Sequence, residues 1–246
     1  EKYSPVEPAI NRAIKYALNQ TPINYDLMIK MLNKLDVKLL SDKPFINNEG
    51  REFESFKERY FRLKVRALFE TKQYKACVEC ANQALATPLK WHYNALQWIK
   101  YYRGCALLEL KEYDEAEKIY DKLINNDSKN AQYYILKGEC LAKSGDAKAA
   151  VKVYEQGWNS TNDTDFLEKI CEIYVEQKDY DNALKYIQKG IEQGGESKAG
   201  FMYGKIVIYE KAQEYDRAYE AAKKYVELYP DDEAGKKEYI FLSTRI

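Results

Sequence analysis

The sequence predicts an all-α protein, and three observations carry that prediction. Only 11 Gly and 6 Pro punctuate 246 residues, while Lys, Glu, Leu, Ala and Tyr dominate, a helix-forming vocabulary with aromatic packing added. A short pattern returns along the chain: "KEYDEAEKIY" at 111–120, "QKDYDNALKYI" at 177–187, "AQEYDRAYEA" at 212–221 and a looser "TKQYKACVEC" at 71–80. The small residue inside these copies, Cys77, Ala116, Ala183 or Ala218, together with Ala150 of a fifth copy that lacks the tyrosine, recurs at spacings of 39, 34, 33 and 35. A period near 34 is that of stacked helical hairpins.

The N-terminal elements lie outside the period. Residues 5–19 place Ile10, Ile14, Ala17 and Leu18 on one helical stripe, and "NYDLMIKMLNKLDVKLL" at 24–40 predicts a second helix carrying Leu27, Met28, Met31, Leu32 and Leu35. Together they form either a degenerate extra hairpin or a cap on the open end of the stack. "SDKPFINNEG" at 41–50 has the Pro, Asn and Gly of a loop.

Within the period, a second slot stands twelve residues before each marker: Val65, Gly104, Gly138, Cys171 and Ile206. Small residues there let paired helices approach closely, because a bulky side chain at the crossing forces the axes apart. Tyr74, Tyr113, Tyr180 and Tyr215 precede the marker by three, with Ala147 in the third copy, and this aromatic is expected to cap the hairpin turn. Four residues after the marker come Ala81, Tyr120, Tyr154, Ile187 and Ala222. Pro88 and Pro230 close the first and last copies. The 39-residue first spacing implies about five extra residues around "TPLKWHYNALQW" at 87–98, as a loop or a longer helix. "DDEAGKKEYIFLSTRI" reads as a final helix covering the last hairpin.

Glycine in the first helix, then tyrosine, alanine, a large residue four later and a terminal proline resemble the tetratricopeptide repeat family, best in "RGCALLELKEYDEAEKIYDKLINNDSKN" and next in "KGECLAKSGDAKAAVKVYEQGWNSTND". The resemblance covers roughly residues 56–231 and implies a right-handed α-solenoid of about five hairpins. The expected organisation is an N-terminal helical extension over 1–50, a repeat array over 51–231 and a capping helix over 232–246.

Composition narrows the function. Lys+Arg and Asp+Glu are both 39, so net charge gives no general attraction to nucleic acid or an anionic membrane. No apolar run is long enough for a membrane span and no signal-peptide pattern opens the chain. The first residue is Glu1 rather than Met, so the chain is expected to be trimmed, and one alternative reading takes it as the interaction segment of a longer protein. Five cysteines without scaffold spacing are expected as reduced, packed thiols in a cytoplasmic setting. His92 is the only histidine, which excludes a multi-histidine metal site. Cys77-x-x-Cys80 is half a zinc site with no second pair. "EQGGES" at 192–197 lacks the lysine and the strand of a phosphate loop. The chain is therefore expected to be non-catalytic, without cofactor or metal.

In the family, the first helix of each hairpin lines the surface where peptides or partner helices bind. Counting from the small slots, the resemblance puts on that surface Arg59, Arg62 and Arg66, then Trp98, Tyr101 and Cys105, then Gln132, Ile135 and Glu139, then Asp165, Glu168 and Glu172, and last Gly200, Tyr203 and Val207. The arginines share one helical face, as do the three acids, so the lining runs from basic through aromatic to acidic. A protein or peptide partner is the expected ligand, with the arginines as polar anchor and Trp98 and Tyr101 as apolar anchors. The clamp with which some family members grip chaperone carboxylates needs further cationic tiers, and Gln132 and Ile135 stand where one is required. Self-assembly into a homo-oligomer is the main alternative, and RNA binding a minor one.

Overall fold

A computed structural model describes Lys15, Ala17 and residues 19–46, 49–50 and 52–246. Ile10, Ile14 and Leu18 of the first expected helix lie outside the described residues, whereas Ala17 is fully buried. Among the described residues the fold is all-α with one two-residue β-ladder, and the chain divides into two compact units, 1–126 and 127–246.

In the first unit, α1 spans Tyr25–Leu32, capped by Asn24, whose Oδ1 accepts the Leu27 N–H at 2.9 Å. The helix expected to run to residue 40 stops at Leu32. Lys34 and Leu35 donate three residues back, and Asp36 then caps a 3₁₀ turn over Val37–Leu39. Asp36 accounts for the stop, since its carboxylate accepts the Lys38 N–H at 3.0 Å and offers the backbone a turn in place of the helix. β1 (Phe45–Ile46), inside the expected loop, pairs antiparallel with β2 (Glu52–Phe53), just beyond it, and neither strand was foreseen.

Two hairpins follow: α2 (Phe56–Glu70) with α3 (Tyr74–Ala86), and α4 (Tyr93–Glu109) with α5 (Tyr113–Asn126). A reciprocal capping box starts α2: Ser55 Oγ accepts the Glu58 N–H at 3.2 Å and Glu58 Oε2 accepts the Ser55 N–H at 2.6 Å. The second carboxylate oxygen of Glu58 accepts the His92 N–H at 2.5 Å, at the N-cap of α4. One buried carboxylate thus satisfies orphan donors at the starts of two helices. The extra residues are shared between α4, which has 17 residues against 14 in the corresponding helix Ala131–Ser144, and the connection before it, residues 87–92 against 127–130 before that helix.

The second unit holds α6 (Ala131–Ser144) with α7 (Ala147–Thr161), α8 (Asp165–Glu176) with α9 (Tyr180–Gln193), and α10 (Lys198–Lys211) with α11 (Tyr215–Leu228). It closes with α12 (Glu233–Ser243), whose N-cap Asp232 accepts from Ala234 and Gly235 and also from the Tyr225 hydroxyl.

All five hairpins turn in the same way. The residue five before each marker has a left-handed backbone: Lys72 (φ 59), Lys111 (φ 65), Gly145 (φ 99), Lys178 (φ 59) and Gln213 (φ 61). The next amide then reaches five residues back, as from Gln73 to Leu68 O (2.8 Å) and from Asp179 to Tyr174 O (2.8 Å), closing the helix end. The marker tyrosines, or Ala147, are the first residues of the second helices.

Packing inside each hairpin follows a size rule. Where the slot is glycine the residue sixteen later is tyrosine: a Cβ on Gly104 would sit 2.9 Å from Tyr120 Cζ, and one on Gly138 2.5 Å from Tyr154 Cζ. Where the slot is Val65 or Ile206, that residue is Ala81 or Ala222 in the same core cluster. Cys171 and Ile187 are the intermediate pair, packed in one cluster. Tight cores tolerate neither extra nor missing methylenes, so the two positions trade volume.

Junctions between hairpins of the second unit use a related device. Phe166 lies on Gly157 and Phe201 on Gly190, each ring 2.5 Å from where a Cβ would be. At α12 the sizes invert, and the Tyr225 ring from the preceding hairpin covers Gly235.

Candidate partner-binding face

In the first unit the first helices α2 and α4 bring the basic and aromatic residues together. Arg59, Arg62 and Arg66 lie on α2 as their spacing required, but they are not equivalent. Glu54, just ahead of the cap, accepts from Arg62 Nε (2.8 Å) and a terminal nitrogen of Arg62 (2.5 Å), and from Arg59 Nε (3.2 Å). Burial alone would raise the Glu54 carboxyl, but hydrogen bonds and charge from Arg62 and Arg59 outweigh it and hold the pKa below its ordinary value. The Arg62 guanidinium is correspondingly raised. Two of the three arginines are therefore oriented by one internal carboxylate.

Arg66 stands differently. Its nearest acid, Glu70, is 3.7 Å away, its guanidinium lies over the Tyr25 ring at 5.7 Å, and its Nε has no hydrogen-bond partner. Beside it Tyr102, from α4, is buried with its phenol pushed up to about 12, mainly by burial, with the positive charge of Arg66 opposing.

Trp98 stacks on Tyr102 (5.6 Å, 22°) and meets Tyr101 edge-on (5.8 Å, 83°), while Tyr102 also contacts Phe69 of α2 at 5.4 Å. Trp98 is nevertheless 47% exposed. Such packing fixes the indole's orientation before any partner arrives. Cys105, the third residue expected on this face, is buried with Tyr120 Oη 3.5 Å from its sulfur. Glu54 and Tyr102, which organise the face, were not foreseen. Glu54 immediately precedes the Ser55-x-x-Glu58 box, the one local signal available for it.

In the second unit the acids expected on this face are Glu139 on α6 and Asp165, Glu168 and Glu172 on α8. Gln132 is exposed and Ile135 and Glu139 half-buried on α6, while Asp165, Glu168 and Glu172 are exposed on α8. On α10 Gly200 is exposed, and Tyr203 and Val207 are half-buried. The Glu168 carboxyl is raised by partial burial and then by Asp165 and Glu172, although Lys169 pairs with Glu172 at 3.2 Å. Burial and then Glu139 and Glu172 push the Tyr154 phenol up, and burial with Glu238 and Glu210 does the same to Tyr203. Carboxylates on α6, α8, α10 and α12 thus add to burial in raising these groups.

The remaining candidates for chemistry have structural places. The five cysteines are buried free thiols. Burial raises Cys77 and Cys171 to about 12 and Cys80 to about 11, far from the thiolate that reactivity needs. His92 is the N-cap of α4, and no metal-holding group of three His, Cys, Asp or Glu occurs among the described residues. No helix among them is long and apolar enough to cross a membrane.

Comparison with known proteins agrees with this architecture. The family model described as tetratricopeptide repeat matches residues 57–244. A TPR repeat-containing protein of Methanocaldococcus jannaschii is 25% identical over 163 residues, covering 66% of this chain and 28% of that protein. The chain thus spans less than a third of that relative's length. Among solved structures, MamA from Desulfovibrio magneticus RS-1 superposes with a TM-score of 0.60 at 13% identity, over 78% of this chain and 97% of that one. The C-terminal part of a TPR repeat-containing protein from Cytophaga hutchinsonii gives 0.55 at 22% identity, over 74% of this chain and 69% of that one.

The fold is therefore of the all-α solenoid class, built from helical hairpins. The chain belongs to the tetratricopeptide repeat family, whose arrays serve in general as protein-interaction scaffolds.

Proposed function

We propose that the chain is a non-catalytic scaffold that docks a peptide or helix of a partner protein on the first-helix faces of its hairpins. The observation that carries this reading is Trp98, 47% exposed yet held on the Tyr101 and Tyr102 rings. A large, rigid, half-exposed indole loses little entropy on binding and buries much apolar area, as binding hot spots do. In the first unit Trp98 and Tyr101 are the apolar anchor and Arg66 is the polar one. Arg59 and Arg62, held by Glu54, fix the edge of the face. In the second unit Gln132, Glu139, Asp165, Glu168 and Glu172 present carbonyl and carboxylate acceptors to basic side chains of a partner. Five buried free thiols fit a reducing, cytoplasmic setting.

Selection of random peptides on the full chain tests the proposal, with each selected sequence then titrated against Trp98→Ala, Arg66→Ala and Glu168→Lys variants of matched helicity. Sequences that weaken about tenfold or more on loss of Trp98 support it. Sequences that bind all variants like wild type overturn it.

A further inference from the structure

Two successive grooves of the second unit repeat one arrangement, and only the first carries an aromatic ring at its centre. Beside α7, the Tyr186 ring of α9 stacks on Tyr174 of α8 (5.7 Å, 20°), its hydroxyl donates to Glu155 at 2.6 Å, and the Lys189 ammonium lies 4.5 Å from the ring centre. One hairpin further Tyr209 stands for Tyr174, Lys224 for Lys189 and Gln188 for Glu155, so the stacking surface, the cation and a hydrogen-bonding group all return. The ring does not, because Ala221 stands 35 residues after Tyr186. Between α9, α10 and α11 lies instead a cavity of about 460 Å³, with Ile191, Met202, Tyr209 and Ala221 as its apolar lining and Gln188, Lys205 and Lys224 among its polar groups. The cavity beside Tyr186 runs along Ala147, Val151 and Lys152, positions of the repeat that this one does not use.

We propose that this cavity binds a small aromatic acid, with its ring on Tyr209 beside Lys224 and its anionic group on Lys205. Tyr186 supplies the template for the ring, held by stacking on one side and by an ammonium on the other. The substitutions around that template define the rest of the ligand. Glu155, which accepts the phenol hydrogen bond, gives way to the neutral Gln188, and the fully buried Ile170 gives way to the half-buried Lys205. With one carboxylate lost and one ammonium gained, the ring's polar group changes from a proton donor to an anion. Neither Lys205 nor Lys224 has an ion-pair partner among the described residues, whereas Arg217 is paired with Glu214 at 2.8 Å and the lining acids Asp216 and Glu220 are exposed. An apolar lining with a few placed polar groups, in a volume of this size, is the usual form of a small-molecule site. The cavity shares no residue with the face proposed for peptides, and its ligand stands or falls independently of that reading.

The test titrates the full chain, followed by NMR, with para-hydroxyphenylacetate and indoleacetate as probes and para-cresol as the neutral comparison. Wild type is expected to bind at least one of the acids saturably and about tenfold or more tighter than para-cresol. Ala221→Tyr installs the ring of the preceding hairpin and is expected to abolish binding. Lys205→Ile installs that hairpin's isoleucine and is expected to bring the acid down to the level of para-cresol. Circular dichroism confirms that both variants keep wild-type helicity. Absence of saturable binding by both acids, no preference for acid over para-cresol, binding unchanged in Ala221→Tyr, or a preference that survives Lys205→Ile overturns the proposal.

Discussion

The carboxylate of Glu58 joins its own helix cap to the backbone N–H of His92, 34 residues on, at 2.5 Å. Both oxygens accept backbone amides in a site where the glutamate is 1% exposed, so removing either acceptor leaves buried donors unsatisfied. Glu58→Ala is expected to cost about 2–4 kcal/mol, read from urea unfolding. His92→Ala keeps the backbone donor and is expected to change stability by less than about 0.5 kcal/mol.

The Gly138–Tyr154 contact predicts a second outcome. A methyl at 138 would lie 2.5 Å from Tyr154 Cζ, so Gly138→Ala is expected to destabilise by about 1–2 kcal/mol despite alanine's better helix propensity. Adding Tyr154→Leu to Gly138→Ala should recover part of that loss, a coupling that thermal melts of the single and double variants measure.

Four of the five left-handed turn residues are not glycine. An L-residue in that conformation is strained by about 1–2 kcal/mol, part of which glycine returns as unfolded-state entropy. Lys178→Gly is expected to stabilise by about 0.5–1 kcal/mol, and Gly145→Lys to destabilise by a similar amount, both visible as shifts in the urea midpoint.

The Glu54–Arg62 pair makes stability depend on pH. The folded pKa of Glu54 is depressed, so its contribution is complete above the ordinary carboxylate pKa and disappears as pH falls through the lower folded value. The stability gap between wild type and Glu54→Gln should be about 1–2 kcal/mol at neutral pH and close progressively in acid. A gap independent of pH would show that Glu54 acts through packing alone.

Much of this fold was legible because repetition amplifies weak signals. One alanine marker says little, but Cys77, Ala116, Ala150, Ala183 and Ala218 in register with slots twelve earlier define every hairpin. The turns were invisible in detail, because Lys72, Lys111, Lys178 and Gln213 carry no glycine signature for a left-handed backbone. Glu58 reads as half of a local capping box, and nothing in the sequence marks its second donor at residue 92. The arginine stripe was legible from helical spacing alone, whereas the acid that holds two of its members sits before the helix, where spacing gives no direction. Trp98 was legible as a face position, but its stacking depends on Tyr102, one residue beyond the predicted Tyr101.

The inversion at Gly235 gives the last junction of the second unit a direction. If α12 were placed after α9, Gly190 would face Gly235 and leave a void, while α10 placed after α11 would drive Phe201 into Tyr225. The α11–α12 junction thus cannot be exchanged with the α9–α10 junction without a packing error, whereas Gly157–Phe166 and Gly190–Phe201 share one code, so the alternation of glycine and aromatic rings fixes the place of α12 and leaves the two earlier junctions alike.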